Sequence, residues 1–182
     1  MSFVLHTSPT WAQELIPLSL GNQWMYERLM IENGEVVEKD TVVNWIDISF
    51  EVQGKEYYSL NEFGNQFLVR NTAKGQYEID TLQRAEDGKF LEILMFRKAH
   101  KKKVLEYQTF GTDKVKVFPQ DQTESISSIQ GDFLCIKYEI YPAEIAERKI
   151  TTFIHPGLGI VHQEWLQKDR KVVHKLIDYR VR

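Results

Sequence analysis

The stretch IDISFEVQG, residues 46–54, decides the fold class. Its apolar side chains stand at every second position from Ile46 to Val52, and polar residues fill the positions between them. A period of two is typical of a β-strand with one buried and one solvated face. The stretch ends at Gln53-Gly54, and such a pair suits a tight hairpin turn because glycine accepts the left-handed conformation. The pattern therefore predicts a strand of an antiparallel sheet followed by a hairpin.

The same rhythm continues along the chain in both directions. Many glycines recur at intervals of about 10–13 residues, a spacing of turns that is typical of sandwiches and barrels. Asn33-Gly34 and Asp87-Gly88 are the strongest hairpin signals. Alternation returns at 77–81, where it puts Glu78 on the solvated face. The sequence predicts an all-β fold, an antiparallel meander of about 10–13 strands curved into a half-open or closed barrel, with a two-sheet sandwich as the alternative.

Smaller features complete the predicted architecture. We expect one domain over residues 1–182, because no linker or low-complexity tract interrupts the pattern. Residues 8–15 carry a capping residue, an early proline and an acidic first turn, which together allow a short N-terminal helix. Residues 141–148 are interpreted as the tip of a long hairpin, since strand-like runs flank them. Residues 90–96 are apolar on both faces, which predicts a strand in the middle of the sheet or under a covering segment.

Composition and charge exclude several classes of protein. The chain has 182 residues, a formal net charge of −3 and a single cysteine, Cys135. One cysteine excludes an internal disulfide, and the slightly acidic total argues against nucleic-acid binding. No apolar run is long enough to span a membrane, and residues 1–10 lack the features of a signal peptide. These observations predict a soluble cytoplasmic protein, or a cell-envelope protein if a leader sequence is missing.

Catalytic and metal-binding motifs are absent from the sequence. The five histidines show no metal-binding spacing, and no glycine-rich phosphate loop opens a helix. Cys135 lies within a predicted strand, where no helix N-terminus would activate its thiol. We therefore expect no enzymatic activity, no catalytic residues, no metal and no cofactor. The basic run 97–103 is either a solvated loop or a contact for phosphate groups or an anionic membrane surface.

The last hairpin provides one candidate site. If Asp169-Arg170 forms its two-residue turn, Trp165 lies opposite His174, Leu166 opposite Val173, and Glu164 opposite Lys175. An aromatic–histidine pair on one sheet face can line a ligand site or pack as ordinary structure. Trp165 and His174 are thus candidate ligand-binding residues, and Leu166 is expected to be buried.

Two motifs near the ends of the sequence carry a resemblance. Residues 17–26 have the form P-L-x-x-G-N-x-W-x-Y, and residues 153–161 have the form F-x-x-P-G-x-G-x-V. Together they resemble a broad group of uncharacterised bacterial β-rich proteins, many of them predicted envelope proteins or lipoproteins. The resemblance implies a β-rich fold and no particular activity. Trp24 and Tyr26 fall on one face of the first strand, which makes them further candidates for ligand binding.

The predicted architecture suits a binding protein. Curved sheets often hold an apolar ligand in their concave face, and aromatic residues make up 12% of this chain. The leading hypothesis is a non-enzymatic binding protein for a small apolar molecule, lipid or peptide. The alternative is a structural or protein-interaction module with a filled interior, and a homodimer is compatible with either. A pocket of about 300 Å³ or more would favour the first hypothesis.

Overall fold

A computed structural model describes residues 14–98, 102–109, 113–143 and 147–182. It contains thirteen β-strands, and the described residues include no α-helix, only a 3₁₀ turn at Gln120–Gln122. The strands are β1 Gln23–Glu32, β2 Glu35–Val52, β3 Lys55–Glu62, β4 Asn65–Thr72, β5 Gly75–Arg84, β6 Phe90–Arg97, β7 Leu105–Gln108, β8 Lys114–Val117, β9 Glu124–Ser128, β10 Gly131–Tyr141, β11 Arg148–His155, β12 Gly159–Gln167 and β13 Arg170–Arg180. The all-β prediction is confirmed. Most of the predicted helix at 8–15 lies outside the described residues, as do parts of the basic run 97–103 and of the predicted hairpin tip at 141–148.

All thirteen strands belong to one antiparallel sheet. Its order is β6-β5-β4-β3-β2-β1-β13-β12-β11-β10-β8-β7, with β9 paired to β10 beside this path. Strand β1 pairs with β2 on one side and with β13 on the other, so the two ends of the described chain meet in the middle of the sheet. We call β1–β6 the N-terminal arm and β7–β13 the C-terminal arm. Each arm is a meander of neighbouring strands, as the turn rhythm predicted.

The sheet curves until its two arms face each other. The Tyr138 hydroxyl of β10 donates a hydrogen bond to the Arg97 carbonyl of β6 at 2.9 Å, and its ring packs against Phe96 with centroids 5.2 Å apart. The Tyr107 hydroxyl of β7 donates to the Met95 carbonyl of β6 at 2.6 Å. No ladder joins β6 to β7 among the described residues, so these contacts bring the sheet edges together without closing a barrel. Strand β6 is thus an edge strand, and the prediction that residues 90–96 lie mid-sheet is wrong.

A bulge in β2 changes the alternation that defined the strand. Ile46 pairs with Leu60 and Ile48 pairs with Ser59, so Asp47 is an extra residue without a partner in β3. One inserted residue moves every following side chain to the opposite face. Ile46 is buried while Ile48 is 54% exposed, in contrast to the common face that the sequence predicted.

Of the predicted hairpin turns, Asn33-Gly34 and Gln53-Gly54 agree with the sequence, whereas Asp87-Gly88 and the final hairpin differ. Asn33-Gly34 and Gln53-Gly54 both have positive φ at each residue, as a type I′ turn requires. At Asp87-Gly88 only the glycine has a positive φ. The Gly88 amide donates a hydrogen bond to the Ala85 carbonyl, so Asp87 is an inner residue of that tight turn.

The final hairpin turns one residue earlier than predicted. Gln167 pairs with Arg170, so Lys168-Asp169 forms the turn, with Lys168 at a φ of 50°. This register shifts the cross-strand partners by two positions and leaves the faces unchanged. Leu166 lies opposite Lys171 and is 45% exposed, so its predicted burial is wrong.

Candidate functional site

Trp24 and Tyr26, two of the predicted ligand-binding residues, lie within the core. They are only 2% and 1% exposed. The Trp24 indole N–H donates to the Leu158 carbonyl at 2.6 Å, and the Tyr26 hydroxyl donates to the Ile160 carbonyl at 2.9 Å. Buried polar groups must be hydrogen-bonded, and here both donors serve the protein's own backbone. Their contacts give these two residues a structural role.

The same contacts join the two motifs noted in the sequence. We call this region, residues 14–26 with 156–160, the motif junction. Gly157 has a φ of 82°, and its amide donates to the Glu14 carbonyl at 2.7 Å. A Cβ atom at Gly159 would lie 3.4 Å from the Trp24 indole nitrogen, so the glycine allows the tryptophan to approach the backbone closely. Both motifs therefore serve the packing of the N-terminal segment against the turn between β11 and β12.

Trp165 and His174, the other predicted pair, share one sheet face but are not directly opposite. Trp165 pairs with Val172, while His174 pairs with Gln163, and their ring centroids are 6.3 Å apart. His174 is buried, stacks on Phe63 at 4.0 Å, and its Nδ1 atom has no hydrogen-bond partner. Burial lowers the pKa of His174 to about 4, so the ring is neutral at physiological pH.

A cavity of about 170 Å³ lies between the two arms, and Trp165 is part of its wall. The residues around it come from β3–β6 on one side and β10–β12 on the other, and most of them are apolar. They are Leu60, Glu62, Phe67, Val69, Gln76, Glu78, Met95, Phe96, Ile140, Ile150, Gln163 and Trp165. We call this space the interior cavity. It is partly open to solvent, which leaves a route for a small molecule to enter.

Two carboxyl groups, Glu62 and Glu78, face the interior cavity. Burial raises the pKa of each to about 7, and the charge of Glu78 adds to the shift of Glu62. Neither side chain forms an ion pair or a hydrogen bond with the described residues. Gln76, two residues before Glu78 on β5, is 2% exposed, and its Nε2 donor has no partner. Among the described residues, the buried Gln76 donor thus lacks the partner that such a group normally has, and it lies beside two half-buried carboxyls.

Sequence reasoning did not find these three residues. The alternation at 77–81 placed Glu78 on the solvated face, and this prediction is wrong because Glu78 lines the cavity. Its neighbour Ile79 is buried as well, so both faces of β5 are covered at this point. No pattern within a single strand indicates which of its two faces turns inward when both are covered.

Two other partly buried carboxylates, Glu92 and Glu139, are paired with basic side chains. Glu92 receives hydrogen bonds from the Arg70 guanidinium, from Lys55 at 2.7 Å and from the Tyr57 hydroxyl, and the Arg70 contact lowers its pKa to about 2. Glu139 accepts a hydrogen bond from Lys149 at 2.7 Å. Among the described residues, no three histidine, cysteine or acidic side chains are grouped so that they could hold a metal ion.

A second hollow, of about 610 Å³, runs along the surface between the edge strands β6 and β7. It is an open groove, and its polar lining includes the Glu92 and Arg97 side chains. We distinguish it from the interior cavity, where the Gln76 amide is buried and its Nε2 donor is unpaired among the described residues.

Two solved structures are similar to this chain in overall fold, with low sequence identity. No family model and no curated protein matches the sequence. A crystal structure described as a "putative lipoprotein" from Parabacteroides distasonis has a TM-score of 0.48 and 13% identity, over 92% of this chain and 99% of its own. Another, described as a "putative exported protein with YmcC-like fold" from Bacteroides fragilis, has a TM-score of 0.44 and 12% identity, over 93% of this chain and 100% of its own. We infer no function from either.

The comparison does not support the predicted cytoplasmic location. The described part of the chain contains no helix that is long and apolar enough to cross a membrane.

Proposed function

We propose that this protein binds one small, largely apolar molecule in the interior cavity. The observation that carries the proposal is the Gln76 amide, which is buried against this cavity with an unused hydrogen-bond donor. An unpaired buried donor is unfavourable, and a ligand with an acceptor atom would satisfy it. No catalytic role is proposed for any residue of the site.

The volume of the cavity sets the size of the ligand. A cavity of about 150 Å³ can hold benzene, so the 170 Å³ here accommodates a molecule of about one ring. This is below the roughly 300 Å³ typical of pockets for larger ligands. The proposal is therefore narrower than the expectation from the sequence, because a lipid chain or a peptide would not fit in this space.

The curvature of the sheet supports this location for the site. We infer that the sheet forms a half-open barrel. Its two arms face each other across the cavity, but among the described residues the edge strands β6 and β7 do not pair with each other. The apolar wall contributed by Phe67, Val69 and Phe96 would surround the body of the ligand. Trp165, a candidate ligand-binding residue in the sequence, would add an aromatic surface from the opposite arm.

Filling the cavity tests the proposal. Toluene binding is measured by protein-observed NMR with the unmodified protein and with Val69→Phe, which places a ring inside the cavity. Phe67→Trp is a second filling variant, and Val36→Phe, at an exposed position on β2, is the matched control. We expect binding to be lost in both filling variants and kept in the control. Binding that survives both filled cavities would refute this site.

A second candidate function is self-assembly, because within the described residues β6 and β7 each have one strand edge without a partner strand beside the open groove. Unpaired edges are sites where another strand can add. The partner proposed for this alternative is an edge strand of a second copy. Native mass spectrometry should then show a dimer that Ile93→Lys, a change in the groove lining, converts to a monomer. A monomer at micromolar concentration in the unmodified protein would remove this alternative.

A further inference from the structure

We infer that the molecule held in the interior cavity is a small monocation, an apolar ring or branched alkyl group bearing one protonated amine and one hydrogen-bond acceptor, whose amine binds between the carboxylates of Glu62 and Glu78. This inference rests on the proposed function and adds the charge of the ligand to it. Three observations support it independently of one another.

The first observation is that these two carboxyl groups have no protein partner. Glu92 and Glu139 are each neutralised by a basic side chain within 3 Å. Glu62 and Glu78 are placed against an apolar cavity without such a partner among the described residues. Placing an unpaired charge away from water is costly, and a pair of like charges is costlier still. A cation entering the cavity would supply the missing counter-charge.

The second observation concerns the arrangement of the polar groups. Glu62 ends β3, and Glu78 lies on β5 two residues from Gln76, on the same face of the strand. The two carboxyls are close enough that the charge of one raises the pKa of the other. An ammonium group has three donors, so it can bond both carboxylates at once. The unpaired Gln76 Nε2–H on the same wall needs an acceptor, which an ammonium group lacks, so a separate acceptor atom of the ligand would satisfy it.

The third observation is that no basic side chain in the described part of the chain pairs with either carboxyl. Besides burial, the charge of Glu78 raises the pKa of Glu62 and the charge of Asp80 raises that of Glu78, so the neighbouring charges that act on them are acidic. The Arg148 guanidinium group of β11 lies over the Trp165 ring, 4.9 Å from its centroid, and so contacts the indole face. His174 is neutral because burial lowers its pKa to about 4. The local field therefore attracts a cation and repels an anion.

Three probes of nearly equal size separate charge from shape. Toluene, benzyl alcohol and benzylamine share one ring, and they differ in having an apolar, a neutral polar or a cationic end. Isothermal titration calorimetry should give benzylamine an affinity at least about tenfold higher than that of benzyl alcohol, because charge-assisted hydrogen bonds are stronger than neutral ones. Equal affinities for the two would overturn the inference while leaving the proposed function intact.

Variants of the two carboxyls test whether the preference for benzylamine arises at Glu62 and Glu78. Glu62→Gln and Glu78→Gln keep the side-chain shape and remove the charge, so each should reduce the preference for benzylamine and leave the affinity for benzyl alcohol within about twofold. Glu86→Gln, at an exposed turn, is the control and should keep the preference. A preference that survives the double variant would overturn the inference, because the amine would then bind elsewhere. If none of the probes binds the unmodified protein, the proposed function itself fails.

Discussion

Replacing both cavity carboxyls with amides should stabilise the protein at alkaline pH. The pKa of Glu62 and that of Glu78 are each raised from 4.5 to about 7. A tenfold change in proton affinity corresponds to about 1.4 kcal/mol, so ionising one such group in the folded protein costs up to roughly 3 kcal/mol. The two groups interact, and both retain some contact with solvent through the cavity. We therefore expect the double variant Glu62→Gln/Glu78→Gln to gain on the order of 3 kcal/mol rather than twice that amount.

The direction of the pH dependence follows from the raised pKa values. Below about pH 4.5 both carboxyls are protonated in the folded and the unfolded chain, so they do not affect the free energy of unfolding. Between about pH 4.5 and 7 the unfolded chain releases protons that the folded protein keeps, and the stability of the unmodified protein falls as pH rises. Above about pH 7 the full penalty is present. The gain of the double variant should thus be small at about pH 5 and complete at about pH 8.

Urea unfolding at these two pH values, followed by tryptophan fluorescence, measures the effect. Comparing the variant with the unmodified protein at each pH cancels the contribution of His174, whose lowered pKa acts in the opposite direction. Glu86→Gln, at an exposed turn, should show no pH-dependent gain. If the double variant and the unmodified protein lose equal stability between the two pH values, the carboxyls ionise freely in the folded state. The reasoning about the cavity would then be refuted.

Further predictions concern the junction and the core. Trp24→Phe removes the donor to the Leu158 carbonyl and should cost about 1–3 kcal/mol in urea unfolding. Gly157→Ala, at a φ of 82°, should cost at least about 1 kcal/mol, and free tolerance of alanine would show that this turn needs no glycine. Leu176→Ala should cost about 2–5 kcal/mol, whereas the exposed Leu166→Ala should cost under about 1 kcal/mol; similar losses at both sites would contradict the register of β13. The Cys135 thiol, whose pKa burial raises to about 12, should react with a thiol reagent only after denaturation.

The sequence was informative where structure is set by neighbouring residues. Turn pairs such as Asn33-Gly34 need left-handed backbone at both positions, and this local requirement is visible in the residue types. Period-two alternation likewise predicted the strands, because each strand buries its side chains on alternate positions. These two signals together were sufficient for an antiparallel all-β fold.

The sequence was uninformative where structure depends on distant residues or on one inserted residue. The bulge at Asp47 has no signature of its own, yet it moves Ile48 to the exposed face. Lys168 adopts a left-handed conformation that is uncommon for residues other than glycine, so Lys168-Asp169 was no stronger a turn candidate than its neighbour. Glu62 and Glu78 became visible only after the two arms were placed face to face. Their common cavity depends on strands that are far apart in the chain.

The ladder between β1 and β13 also has a consequence for how the chain folds during synthesis. The N-terminal arm, residues 23–97, leaves the ribosome well before residues 170–180. The edge of β1 that pairs with β13 therefore has no partner strand until then. Until residues 158–160 are made, the Trp24 and Tyr26 side chains also lack the Leu158 and Ile160 carbonyls that accept their hydrogen bonds. Exposed edges of partly made sheets are prone to aggregate. The nascent protein is therefore most vulnerable in the part that becomes the centre of its finished sheet, and a chaperone that covers β1 would protect it during that interval.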